Sequence, residues 1–243
     1  MRTLGQRRSA PTIGASFAVE VGGPMNTALA SAIASAATQV GAAGASLTAA
    51  SRAYSLYEGF VFSCVVEALA RLNAQFQVRD HDDNAATSLV FRTKPGLIFT
   101  AGVPYTFVHV QLPNNREYEL HSTLRVEGRS KVLHELDVAL VERVEAVRCR
   151  QAGVSPRAAK VKLLAECKFY GRSLPLHLGR EFLGLSSEFS IRVKTIVSNV
   201  RSDQVGKMIT SHRGTENFDV SPMDPPRVLR FVEWLAKELE QVL

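Results

Sequence analysis

The chain has 243 residues, of which 46% are hydrophobic and 21% are charged, and this composition allows one sizeable core and excludes a disordered protein. The cysteines are Cys64, Cys149 and Cys167. Because they are odd in number and form no CxxC pair, a disulfide framework and a structural zinc site are not expected. No apolar run of membrane-spanning length and no signal-peptide block occurs, so we expect a cytoplasmic protein without a membrane partner.

Positive charge is concentrated in one part of the chain. The net charge is +6, and residues 143–180 contain nine Lys or Arg residues but only two Asp or Glu residues. The remaining sequence is close to neutral. A local excess of this kind suits a surface that binds a polyanion such as a nucleic acid, although a basic surface that only keeps the protein soluble has the same composition.

The first 53 residues differ in composition from the rest. Residues 1–25 show no regular period, and residues 26–52 are rich in Ala and Ser, with Gly41 and Gly44 interrupting a helical composition. We therefore interpret residues 1–53 as a leader that is partly helical or loose, and residues 54–243 as one domain.

Helices and strands alternate in the predicted domain. Apolar residues at helical spacing predict a long helix over residues 54–76. Strands are predicted at residues 88–92, 105–111, 118–126, 133–142, 161–170 and 189–197, with an irregular basic segment at 143–160. Further helices are predicted at residues 175–187, from Ser202 to about Gly214, and at 227–243. This pattern predicts an α/β fold, a mixed central sheet flanked by helices, with the core order helix, three strands, helix, strand.

Two acids lie inside the apolar strand at residues 133–142. Because side chains alternate along a strand, Glu135 and Asp137 are expected on one face, and Leu136, Val138 and Leu140 on the other. A carboxylate buried without a partner is costly, so acids in such a strand call for an explanation.

The strand at residues 161–170 places Glu166 and Lys168 on one face, two residues apart. If the two strands are neighbours, Asp137, Glu166 and Lys168 converge. Two carboxylates offer oxygen ligands for a magnesium ion, and a lysine beside them could orient or deprotonate an attacking water and stabilise developing negative charge. The alternative is a set of ion pairs on a solvent-facing sheet surface, which needs no function.

An acid in one strand followed by E-x-K in the next resembles the signature of the PD-(D/E)XK nucleases, the restriction-endonuclease-like family. The matching residues are Asp137 in HELDVALV, and Glu166 with Lys168 in AECKFY. Leu136 stands where the family often has proline. The resemblance covers about residues 54–200 and implies the core order described above. It also implies Mg²⁺ as cofactor, with Mn²⁺ as substitute, bound by Asp137, Glu166 and the main-chain carbonyl of Cys167.

By this resemblance the chain is expected to be a metal-dependent DNA endonuclease, acting in defence against foreign DNA and working as a homodimer. RNA is not excluded as a substrate. The alternative is a catalytically inactive module that keeps the fold and binds a nucleic acid or a protein. Intact Asp137, Glu166 and Lys168 favour the enzyme, because a degenerate site usually loses one of them.

Glu58 is a further candidate for catalysis and metal binding. At about 100° per residue on a helix, it falls on the apolar stripe of the first core helix, where a carboxylate is unexpected. The alternative is an acid in the first helical turn, where it suits the helix dipole. Cationic side chains that could contact phosphates are those of Arg148, Arg150, Arg157, Arg172 and Arg180.

Overall fold

The computed structural model describes residues 23–100, 102 and 104–243, which form a seven-stranded sheet with helices on both faces. The α-helices are α1 (Pro24–Gln39), α2 (Ala53–Arg71), α3 (Arg143–Ala152), α4 (Leu176–Ser187), α5 (Asp203–Ser211) and α6 (Pro225–Glu240). The strands are β1 (Gln75–Asp80), β2 (Thr106–Gln111), β3 (Glu117–Glu127), β4 (Leu133–Glu142), β5 (Val161–Lys168), β6 (Val193–Ser198) and β7 (Thr215–Asn217). The predicted α/β class with a mixed sheet is confirmed.

The strands lie in the sheet in the order in which they occur in the chain. Neighbours from β1 to β5 are antiparallel, whereas β5, β6 and β7 are parallel. The parallel strands are joined through α4 and α5, as parallel pairing requires a crossover. Five strands lie between α2 and α4, two more than the three of the predicted core order. β2 to β5 match predicted strands, whereas β1 was not predicted.

Three local predictions were wrong. The first core helix ends at Arg71 and not at residue 76, because Asn73 adopts a left-handed conformation (φ 58°) and β1 follows. Residues 88–92 form no strand. Residues 143–152 form the helix α3, and Gly153 (φ 63°) is the cap that ends it, so this glycine terminates a helix that the sequence pattern did not reveal.

Two apolar layers enclose the sheet. One face packs against α1, α2 and α6, and the other packs against α3, α4 and α5. Helix α1 contributes Leu29 and Ile33 to the first layer, so the helical part of the predicted leader belongs to the same core as α2. Residues 1–22 lie outside the described part of the chain.

Helix α2 is apolar on nearly all sides. Among the described residues it is the one helix long and apolar enough to cross a membrane by length and composition, but 72% of the relevant stretch is buried inside the protein. It is therefore the central helix of the first apolar layer, which explains its all-round hydrophobicity.

In β3 and β4, the regular alternation of side chains between the two apolar layers is interrupted at one position. Their ladder pairs Ser122 with Val138 and Leu124 with Leu136 but omits Thr123 and Asp137, which lie opposite each other. Val138 packs in the first layer and Leu136 in the second, so the predicted common face for these two residues was wrong. The left-handed backbone of Thr123 (φ 52°) coincides with this change.

Candidate active site

β4 and β5 separate at the point where their acids lie. The antiparallel ladder between them ends at the pair Val138 and Ala165, and the next residue on each strand is an acid, Asp137 or Glu166. Asp137 spans the opening, because its Oδ2 accepts a hydrogen bond of 2.7 Å from the main-chain N–H of Cys167. The two predicted carboxylates therefore lie together at the open end of the strand pair.

Lys168 lies beside Glu166, with Nζ 2.7 Å from Oε1. Burial disfavours the charged form of Lys168, but the charges of Glu166 and Asp137 and the hydrogen bond to Glu166 outweigh burial and raise the pKa of Lys168 above its ordinary value. Lys168 therefore stays protonated at neutral pH. It can donate hydrogen bonds to a substrate, but it cannot take a proton from water.

Glu58 on α2 faces the same strands. Burial, followed by the charges of Glu135 and Glu166, raises the pKa of Glu58 to about 7. Burial, followed by the charges of Glu166 and Glu58, raises the pKa of Asp137 well above its ordinary value. These mutual charge effects place the carboxyl groups of Glu58, Asp137 and Glu166 in one region of the protein. The structure thus brings together all four predicted catalytic residues. We call Glu58, Asp137, Glu166 and Lys168 the carboxylate–lysine cluster.

The carboxylate–lysine cluster has three carboxyl groups and one ammonium group. Hard oxygen ligands with excess negative charge fit a divalent cation such as Mg²⁺, which would reduce their mutual repulsion. Among the residues that the structure describes, no three His, Cys, Asp or Glu side chains lie close enough together to hold a metal ion. A cation here would need one or two carboxylates, completed by a main-chain carbonyl and water molecules, which is common for magnesium.

Two further charged residues stand at the mouth of the cluster. Glu135 and Arg125 are exposed and are cross-strand partners on β4 and β3. Burial and then the charge of Glu166 raise the pKa of Glu135, while Arg125 opposes the rise. Within the described part of the chain, the Arg125 guanidinium forms no hydrogen bond or close ion pair, so it is available to an anion.

Three of the arginines predicted to contact nucleic acid hold buried carboxylates instead. Arg148 and Arg157 both bind Glu145, with N–O distances of 2.9 Å and 3.0 Å. Arg150 binds Glu119 at 2.7 Å, and its side chain is only 10% exposed. Arg148 and Arg150 lie on α3, whereas Arg157 precedes β5 and bridges to Glu127 of β3.

Arg172 and Arg180 are both exposed. Arg172 belongs to the loop after β5, four residues beyond Lys168, and Arg180 lies on α4. Among the arginines predicted to contact nucleic acid, Arg172 is therefore the nearest in sequence to Lys168.

Sequence reasoning missed Thr123 and Arg125. Arg125 could have been found, because it occupies an alternating position on a strand next to the acid strand. No sequence pattern predicts the conformation of Thr123, since a left-handed backbone is unusual for a β-branched residue.

Taken together, the fold and the cluster define an α/β protein with a partly buried carboxylate–lysine site. No family model, no curated protein and no solved structure matches this chain. The functional argument therefore depends on the chemistry of the cluster.

Proposed function

We propose that this chain is a magnesium-dependent endonuclease that hydrolyses phosphodiester bonds in DNA, with Mn²⁺ as a substitute cation. The observation that carries the proposal is the convergence of Glu58, Asp137, Glu166 and Lys168 at the open end of β4 and β5. Buried carboxylates without enough compensating positive charge are costly to the fold. A cation would offset that cost, and a phosphodiester is a substrate that needs both a cation and a nearby ammonium group.

Each residue of the carboxylate–lysine cluster then has a role. Asp137, Glu166 and the main-chain carbonyl of Cys167 would hold the cation, with Glu58 reaching it through a water molecule; the cation when bound would lower the pKa of a water molecule and offset charge on the phosphate. Lys168, kept protonated by Glu166, donates hydrogen bonds to a phosphate oxygen as negative charge develops there. Because Lys168 stays protonated, Glu58 is the carboxylate that would accept the proton of the attacking water.

The reaction forms a bond between the water oxygen and phosphorus and breaks the bond from phosphorus to the 3′ oxygen. The products are a 5′ phosphate and a 3′ hydroxyl, which takes a proton from solvent. Arg125, together with Arg172 and Arg180, would contact neighbouring phosphates and position the strand.

The proposal extends to the fold and the assembly. β3, β4, β5, α4 and β6 run in the order of three antiparallel strands, a helix and a parallel strand, in keeping with a restriction-endonuclease-like core. In that arrangement α2 would be the first core helix, separated from β3 by β1 and β2. A homodimer, which would let two sites cut opposite strands, stays a prediction that sedimentation can test.

The test is plasmid nicking by the purified full chain with Mg²⁺, Mn²⁺ or Ca²⁺, and with excess chelator. We expect cleavage with the first two cations, poor cleavage with Ca²⁺, which coordinates more loosely, and none with chelator. Lys168→Ala should abolish cleavage, whereas Lys162→Ala on the same strand should not. A single-stranded RNA assayed in parallel tests the sugar preference.

Full cleavage in excess chelator would contradict a cation-dependent reaction. A protein that binds DNA but cuts it with none of the cations would be the inactive module instead.

A further inference from the structure

A small crevice opens between β7 and α6, outside the carboxylate–lysine cluster. Its volume is about 230 Å³, and its walls carry three guanidinium groups, those of Arg201, Arg227 and Arg230. The buried ring of Phe231 on α6 forms part of its apolar floor. We call this space the arginine crevice. Several guanidinium groups around one space suit an anion, because the planar fork matches the oxygens of a phosphate.

The three guanidinium groups of the crevice are poorly compensated by carboxylates. The side chains of Arg227 and Arg230 form no hydrogen bond or close ion pair with any residue that the structure describes. Arg201 binds Asp203 at 2.8 Å, but the two side chains are 64% and 71% exposed. An exposed pair of this kind is weak, so Arg201 can turn to another anion. Positive charge therefore exceeds negative charge along the crevice walls.

Glu216 is the one acid among the described residues that line the arginine crevice, and it is turned away from it. Its Oε1 lies on the α5 side of β7, 3.5 Å from the position that a Cβ on Gly206 would take. Because side chains alternate along a strand, Asn217 faces the α6 side instead. Asp219 follows β7 but does not line the crevice. An anion there would meet arginines and an amide rather than a carboxylate.

The arginine crevice lies at the same edge of the sheet as the carboxylate–lysine cluster. β5, β6 and β7 are parallel and end together, with Lys168 paired to Ser198 and Val197 paired to Asn217. Two strand spacings of about 4.8 Å place the end of β7 about 10 Å from Lys168. Ligands of open α/β sheets bind outside the carboxyl ends of such strands. The position of the crevice therefore suits a ligand that also reaches the cluster.

A buried hydrogen bond ties the wall of the arginine crevice to the helix that carries Glu58. The Tyr57 hydroxyl donates to the main-chain carbonyl of Val220, which lines the crevice, at 2.9 Å. The main-chain N–H of Val220 donates to the Ser198 carbonyl at the end of β6 (3.0 Å). The crevice and the cluster are thus held at a fixed separation. About three nucleotides of a DNA strand, at about 3.4 Å each, would span it.

We propose that the arginine crevice binds a backbone phosphate of the DNA strand, about three nucleotides from the phosphate that is cut. The strand as ligand rests on the proposed function, whereas the anion site itself does not. Arg227 and Arg230 bind the phosphate oxygens, and Arg201 exchanges Asp203 for them. The phosphate supplies the negative charge that the crevice lacks and fixes the strand relative to the cluster.

The first experiment measures DNA binding without cleavage. Fluorescence anisotropy of a labelled duplex is followed in excess chelator for the full chain. The wild type is compared with Arg230→Gln, with a double variant that adds Arg227→Gln, and with Lys237→Gln. Lys237 is exposed on α6 but does not line the crevice, so its variant controls for the loss of one charge from the same helix.

The double variant should bind the duplex about tenfold more weakly, the scale of losing a charge-assisted hydrogen bond, and Arg230→Gln should lie between it and the wild type. The slope of log affinity against log salt should fall by about 0.9 in the double variant, the value for one phosphate contact. Lys237→Gln should match the wild type. An unchanged double variant, an equal loss in Lys237→Gln, or a wild type that does not bind the duplex would overturn the proposal.

Two further measurements identify the ligand and separate this proposal from the proposed function. If calorimetry shows that inorganic phosphate binds the wild type but not the double variant, while the duplex binds both equally, the crevice holds a free phosphate and the contact with DNA is refuted. In plasmid cleavage with Mg²⁺, the double variant should raise KM more than it lowers kcat, because the contact lies away from the reacting phosphate. A lower kcat at wild-type KM would contradict the role. If the wild type does not cleave DNA, the proposed function fails, and binding in chelator alone decides whether the crevice holds a strand.

Discussion

Two groups of buried ionic side chains lie on the same sheet and behave in opposite ways. In the carboxylate–lysine cluster, the pKa of Glu58 is raised to about 7. In the second group, Glu119 is fully buried on β3, yet its pKa is lowered to about 2. Burial alone would raise both values. The difference lies in the partners, because Arg143, Arg150 and His121 all bind the Glu119 carboxylate. We call Glu119, His121, Arg143 and Arg150 the arginine-paired cluster.

The two clusters differ in how their carboxylates are compensated by positive charge. The arginine-paired cluster is complete, since its carboxylate receives hydrogen bonds from three side chains and Arg143 also binds Asp83 at 2.5 Å. The carboxylate–lysine cluster is incomplete, with more carboxylates than cations. A fold gains nothing from an uncompensated buried carboxylate. The proposed cation would supply the positive charge that the carboxylate–lysine cluster lacks, and the variants below test that contrast.

Asp137→Ala should have the largest effect on activity and little effect on the fold. It removes a proposed cation ligand, so plasmid cleavage should fall by about a thousandfold or more, the scale of losing a central electrostatic contact. It also removes a repelling buried charge, so the metal-free protein should be as stable as the wild type or more so. Cleavage assays and urea unfolding measure the two effects. Loss of both activity and stability would mean that Asp137 is structural.

Glu119→Gln should have the opposite pattern, with a large loss of stability and little effect on plasmid cleavage. Breaking a buried, multiply paired carboxylate typically costs about 3–5 kcal/mol, because its cationic partners stay buried without compensation. The Glu119 pKa is depressed, so its contribution to stability is present above about pH 4.5 and is lost as the pH falls toward 2. Urea unfolding at pH 7 and pH 3 should show the deficit shrinking at the lower pH. Glu117→Gln, an exposed change on the same strand, is the control, and an equal deficit in both variants would refute the comparison.

Much of the carboxylate–lysine cluster was predictable because it depends on local periodicity. Alternation along a strand placed Glu166 and Lys168 on one face, and helical spacing placed Glu58 on the buried side of α2. These patterns depend on residues close in sequence, and tertiary packing did not overturn them. The same reasoning predicted the α/β class and the approximate positions of α4 and α6.

The arginine-paired cluster and the site geometry were not predictable in this way. Arg150 meets Glu119 across 31 positions of sequence, and no local pattern announces such a pairing. Polar and apolar residues alternate along β3, but Arg143 and Arg150 of α3 cover Glu119. The side chains of both strands change face at Thr123 and Asp137, and Gly96, from a distant segment, hydrogen-bonds with Thr123 and Arg125. These features depend on contacts between residues far apart in the sequence, which local periodicity cannot predict.

Glu58→Gln should stabilise the metal-free protein in a pH-dependent way. The folded-state pKa of Glu58 is raised, so the wild type binds more protons folded than unfolded between pH 4.5 and 7, and its stability falls as the pH rises through that window. At pH 8 the variant should be more stable by roughly 2–3 kcal/mol, on the scale of 1.36 kcal/mol per pKa unit, and the gap should close near pH 4. Urea unfolding with chelator measures this effect. Glu67→Gln, an exposed change on the same helix, should show no such dependence, and a pH-independent gap for Glu58→Gln would contradict the raised pKa.

The smallest effect that we expect is on the affinity for DNA, and it distinguishes DNA that passes over the carboxylate–lysine cluster from DNA that lies on α3. Arg125 stands at the mouth of the carboxylate–lysine cluster with no close ion-pair partner among the described residues, whereas Arg148 is held by Glu145. If DNA passes over the cluster, Arg125→Gln should weaken binding a few-fold and reduce the slope of log affinity against log salt by about 0.9, the value for one phosphate contact. Arg148→Gln should leave that slope unchanged. Binding is measured by fluorescence anisotropy in chelator, so that cleavage does not interfere. The opposite result, a lower slope for Arg148→Gln alone, would place the DNA on α3, as the basic composition of residues 143–180 first suggested. That outcome would separate the binding surface from the carboxylate–lysine cluster and favour a module that binds nucleic acid without cutting it.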